Sequence, residues 1–107
     1  MIWTEKKNNI NLTDIKDKLN AMYSSEHLGK NLCWTNKYGT FFKVFCFSEN
    51  NRCFGIEYAS NEDEARQGCF EDGDLFYIDD YSSLDDMVAA MRLEIDDSES
   101  DNKQRRN

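Results

Sequence analysis

The thiols Cys33, Cys46, Cys53 and Cys69 and the imidazole of His27, the only histidine, are the side chains with obvious nucleophilic or ligand chemistry. A catalytic cysteine needs a neighbouring base to hold it as the thiolate. His27 with Cys33, six residues on, is the pair nearest in sequence. No glycine-rich oxyanion loop and no third orienting residue accompany it. His27 in "SSEHLGK" fits instead the end of a helix, where a partial positive charge is favourable. The cysteine spacings of 13, 7 and 16 contain no C-x-x-C pair, so a structural zinc site has no support. The N-terminus lacks the regions of a signal peptide, so a cytoplasmic protein of a bacterial or phage-infected cell is expected, with thiols free in its reducing environment.

Carboxylates carry the other chemistry. "CFEDGDLFYIDDYSSLDD", from Cys69 to Asp86, holds seven carboxylates and four aromatic rings with no Lys, Arg or His. A hydrolase would need two acids in a cleft with one pKa raised, and nothing in the sequence singles out such a pair. A calcium loop with Gly73 at its sixth position would have to start at Gly68, and one starting at Asp79 would put Tyr81 where an oxygen ligand is needed. No metal, no cofactor and no enzyme activity is therefore expected.

The distribution of charge is more informative. Residues 1–56 hold five acidic and eight basic residues, whereas residues 57–101 hold sixteen acidic residues and only Arg66 and Arg92 as cations. Concentrated negative charge disfavours direct nucleic-acid binding and speeds association with a basic surface. Glu62, Asp63, Glu64, Glu71, Asp72, Asp74, Asp79 and Asp80, set among Phe70, Phe76, Tyr77 and Tyr81, form the expected partner-binding face. Spaced carboxylates and rings of this kind imitate the phosphates and stacked bases of a nucleic acid.

The elements that must position these residues follow from periodicity. Leu12, Ile15, Leu19 and Met22 recur at helical spacing, with Asn11 as cap, and predict a helix over 12–24 that ends before Gly29. The stretch from Asn31 to Ser60 alternates β-branched and aromatic residues around two polar turns, predicting consecutive hairpins with strands near 31–35, 40–48 and 52–59. In the second hairpin Phe41, Phe45 and Phe47 are expected to share the core face with Phe54, Ile56 and Tyr58. The flatter face would then carry Phe42, Val44, Cys46, Cys53 and Glu57. Residues 60–68 read as a short helical turn capped by Ser60 and stopped by Gly68. "EDG" reads as a turn before a fourth strand, Asp74 to Asp79. Ser83 caps a last helix whose apolar stripe is Leu84, Met87, Val88, Met91 and Ile95. Trp34 reads as core, and Trp3 as packing for the N-terminus.

The expected fold is thus α+β: one small domain over residues 1–95, a four-stranded antiparallel sheet with N- and C-terminal helices (αββββα), and a disordered acidic C-terminal tail over 96–107. No apolar stretch approaches the roughly 20 residues of a membrane span. The expected function is that of a non-enzymatic acidic binding module. It would engage the basic surface of another protein, in the sharper version a nucleic-acid-processing enzyme that it inhibits. Small size, acidity and lack of catalytic groups give it the general character of phage anti-restriction and anti-CRISPR proteins that mimic DNA, although no motif aligns to any such family. An immunity protein or antitoxin, and a structural subunit that forms a homodimer through its sheet, are the alternatives.

Overall fold

The computed structural model describes residues 10–47 and 52–98. Helix α1 (Leu12–Asn20) begins in a capping box: Asn11 Oδ1 accepts the Asp14 N–H at 3.0 Å and the Asp14 carboxylate accepts the Asn11 N–H at 3.3 Å. Such a cap contributes about 1 kcal/mol. The helix buries Ile15 and Leu19 and ends at Asn20, before the expected Ser24, because the chain turns over residues 21–24 to enter strand β1 (Ser25–Leu28). Strands β2 (Asn31–Thr35), β3 (Phe41–Cys46) and β4 (Cys53–Ala59), helix α2 (Glu62–Gln67), strand β5 (Glu71–Tyr77), a single 3-10 turn (Ile78–Asp80) and helix α3 (Leu84–Asp97) follow. The strands form one antiparallel meander in chain order.

The sheet therefore has five strands, not four. β1 was hidden because three of its four residues are exposed, which leaves no alternation to read. Leu28 pairs with Asn31 across a two-residue turn in which Gly29 takes φ 63°, a conformation that suits hairpin turns and that glycine adopts freely. His27 accordingly lies in a strand and caps no helix.

The register of the second hairpin is shifted by one residue from expectation, which turns every side chain of β3 to the other face, while Phe54, Ile56 and Tyr58 of β4 keep the core face expected of them. Phe42 pairs with Tyr58, Val44 with Ile56 and Cys46 with Phe54, and these line the face covered by α1 and α3. Trp34 is fully buried there, stacked on Phe42 at 5.7 Å, as its sequence context implies. Phe41, Lys43 and Phe45 occupy the opposite face with Gly55, Glu57 and Ala59. Strand β3 is apolar on both faces, so its parity hangs on Lys43, which forms an ion pair with Glu57 at 3.4 Å. Cys46 and Cys53 consequently sit on opposite faces, and none of the four cysteines is in a disulfide.

Helix α3 follows its sequence pattern closely. Ser83 Oγ accepts the Asp86 N–H at 3.1 Å, and Leu84, Met87, Val88, Met91 and Ile95 are its buried residues. It runs on through Asp96 and Asp97, which were expected in the tail, because Asp96 accepts the Tyr23 hydroxyl at 2.6 Å. Asn36, between β2 and β3, also ties this end down. Its Nδ2 donates to the Ile95 carbonyl at 2.6 Å and to that of Ser98 at 3.0 Å, while its Oδ1 accepts the N–H groups of Tyr38 and Thr40.

Helix α2 is capped by Asn61 in place of Ser60, and Gly68 ends it at φ 77°. It lies on the other face of the sheet, over a second, smaller cluster of Leu28, Cys33, Ala59 and Ala65 with Phe41 and Phe70. Strand β5 begins at Glu71, so "EDG" is strand and not turn. A register slip opposite Gly55/Glu57 absorbs Gly73, where a Cβ would meet the Tyr58 ring and the Ile56 carbonyl. The expected tail beyond Ser98, the expected turn over 49–51 and Trp3 lie outside the described residues.

Candidate protein-binding edge

The acidic run is divided by the fold between helix α2 and the edge strand β5. On α2, Glu62 pairs with Arg66 one turn later, at 2.5 Å, and Glu64 Oε1 accepts the Ser60 N–H at 3.2 Å, so both serve the helix itself. Asp63 is exposed beside them.

On β5, Glu71, Asp72 and Asp74 are all exposed. β5 ends the strand order, so one of its backbone edges has no strand partner among the described residues. Which residues turn toward that edge follows from one bond, the Ile78 N–H donated to the Arg52 carbonyl at 2.9 Å. In an antiparallel ladder bonded and non-bonded pairs alternate. Phe54 with Phe76 is then a bonded pair, whereas Cys53 with Tyr77, Gly55 with Leu75 and Glu57 with Asp72 are not. Asp72, Leu75 and Tyr77 therefore direct their N–H and C=O groups outward. Their side chains share the face opposite α1 and α3, and Leu75 and Tyr77 remain 41% and 48% exposed. Phe45 and Phe47, in edge-to-face contact at 6.2 Å, continue this apolar strip, with Phe45 lying across Gly55 where a Cβ would collide with its ring.

Asp74 faces the other way, toward α3, and meets Glu94. The Tyr58 hydroxyl donates to Glu94 Oε2 at 3.2 Å. Burial, and then the hydrogen bond and like charge of Asp74, push the Glu94 carboxyl up to about 7, against the opposing pull of Tyr58. No cation within ion-pair distance accompanies Asp74 or Glu94 among the described residues. The sequence offered no signal for this pair, since the two acids lie twenty residues apart and Glu94 merely flanks the buried stripe of its helix.

The last acids lie past the strand. Asp79 is held by Arg52, whose Nε donates to Oδ2 at 3.2 Å alongside a second Arg52–Asp79 contact. Asp80 is exposed and makes no ion pair among the described residues. Tyr81 is half-buried against the main core, and burial followed by Asp80 and Asp74 raises its hydroxyl pKa. It thus serves mainly in packing.

Cys33 and His27 are not brought together. Cys33 is opposite Glu26 and His27 is opposite Leu32, so their side chains leave on different faces of the sheet, and burial pushes the Cys33 thiol up, away from the thiolate. The described residues contain no group of three or more His, Cys, Asp or Glu side chains able to hold a metal ion. No helix among them is long and apolar enough to cross a membrane. Comparison of the chain with protein-family models, curated protein sequences and solved structures gives no match.

Proposed function

We propose that this chain is a non-enzymatic binding protein whose acidic β5 edge engages a basic surface of another protein, and that the surface is one which otherwise holds nucleic acid. One observation carries the reading: Glu71, Asp72 and Asp74 are all exposed on one edge strand, with Asp80 exposed just beyond it. Arg66 and Arg92, the only cations between Glu57 and Ser98, are both engaged by acids one turn away on their own helices, Glu62 and Asp96. Clustered exposed carboxylates offer a basic groove the kind of negative charge it otherwise takes from phosphates. An inhibitor of a nucleic-acid-processing enzyme and an immunity protein against a toxic one would use the edge alike.

The test is capture from a lysate of the source cell or its host, eluted with rising salt. It is run beside a variant with Glu71→Gln, Asp72→Asn, Asp74→Asn and Asp80→Asn, in which Asp79 stays to hold Arg52. A nucleic-acid enzyme eluting at moderate salt from the wild type alone is the expected result. Equal capture by both chains would overturn it. That outcome would favour a second reading, in which Phe47, Leu75 and Tyr77, exposed at 62%, 41% and 48%, dock the sheet into an assembly or a homodimer.

A further inference from the structure

We propose that β5 is a template for strand addition, and that its occupant is an extended segment of a partner protein in which apolar residues alternate with lysine or arginine. The inference rests on the reading of the acidic edge as a partner-binding surface and specifies how that surface is used.

Three independent features converge on this one occupant. The first is the backbone. Asp72, Leu75 and Tyr77 turn their N–H and C=O groups outward, and unpaired edge groups of this kind are what an added strand satisfies. The second is the apolar strip. On the face away from α1 and α3 the rows Phe47–Cys53–Tyr77 and Phe45–Gly55–Leu75 end at the edge with Tyr77 and Leu75 half exposed. Residues of an added strand opposite Leu75 and Tyr77 would extend those rows, which calls for apolar side chains at alternate positions.

The third is charge. The intervening side chains of that strand fall on the other face, beside Asp74 and its partner Glu94. Two carboxylates in contact there have Tyr58 as a donor but no cation among the described residues. A lysine or arginine at that place supplies the missing charge, and Glu71 projects on the same side. A second copy of the chain is the poorest occupant. It would bring Glu71, Asp72 and Asp74 of both chains onto one seam, and like charges opposed across a strand pair are destabilising.

The experiment uses two fluorescein-labelled octapeptides of identical composition: alternating lysine and valine, and four lysines followed by four valines. Binding is read by polarisation at low salt, and hydrogen exchange of the full-length protein is followed by NMR. The alternating peptide is expected to bind at least tenfold more tightly than the block peptide and to slow exchange at the outward amides of Leu75 and Tyr77. Leu75→Pro, which removes an outward N–H while leaving the ladder to β4 intact, is expected to abolish that preference. The slowed exchange is read on the wild type and so does not depend on the variant folding. Equal affinity for the two peptides, with the Leu75 and Tyr77 amides unchanged, would overturn strand addition while leaving a binding surface that recognises charge alone. Failure of both peptides to bind would overturn strand addition and the acidic-edge reading together.

Discussion

Glu94 is the residue whose chemistry departs furthest from its sequence context. It sits half-buried on α3 against another acid, so folding raises its proton affinity, and the consequence for stability has a definite sign. The folded state holds the proton more tightly than the unfolded chain does, so protonation of Glu94 favours folding. The gain is fully present below the ordinary carboxylate range, near 4.5, and is lost as pH rises through about 7. Denaturant titrations at pH 5.5 and pH 8 are expected to give a less stable protein at the higher pH. Glu94→Gln, which keeps an acceptor for Tyr58 and adds a donor for Asp74, should flatten that difference. Asn36 is a second residue whose role exceeds its appearance. Its side chain satisfies two carbonyls at the end of α3 and two N–H groups of its own turn. Asn36→Ala leaves several of these unpaired in a buried place, and a loss of roughly 2–3 kcal/mol is expected in chemical denaturation. By comparison, Asn11→Ala at the exposed cap of α1 should cost about 1 kcal/mol.

At the scale of elements, what could be read from the sequence depended on how strongly periodicity was imposed. Helices α1 and α3 bury one stripe each and carry Asn11 and Ser83 as caps, so both were legible from spacing and capping chemistry. Strands β2, β3 and β4 were legible as strands, because aromatic and β-branched residues crowd between polar turns. The face of β3 was not, since it buries Phe42 and Val44 on one side and half-buries Phe41 and Phe45 on the other. Only the opposition of Lys43 and Glu57 marked the parity, and like any pairwise signal it emerges once the strands are paired. β1 and the first half of β5 escaped because their residues are mostly exposed and polar. Of the expected site residues, Glu71, Asp72, Asp74 and Asp80 lie on or just beyond β5 and are exposed, Asp74 against Glu94. Glu62, Glu64 and Asp79 already serve the fold, and Tyr81 packs against the core. The exposed row of Leu75 and Tyr77 was invisible for the same reason as the register, which is long-range pairing that no local pattern encodes.

For the whole molecule the governing quantity is the uneven charge. Sixteen acids against two cations between residues 57 and 101 give a self-repulsion that opposes compaction. The variant neutralised at Glu71, Asp72, Asp74 and Asp80 should therefore melt several degrees higher than the wild type in dilute buffer. The gap should close as salt is added and exposed charges are screened over about 10 Å or less. A gain in stability together with a loss of binding would place those acids among groups retained against the interest of folding. The central claim, that the acidic edge occupies a site made for nucleic acid, is tested most directly by competition. Proteins captured from lysate on the immobilised chain are challenged with a thirty-base-pair DNA duplex and with the equivalent single-stranded RNA, each at an ionic strength where salt alone releases nothing. Release of the captured partner by nucleic acid, in proportion to its concentration, is the predicted result. A partner that stays on the chain while binding the added nucleic acid would contradict the account.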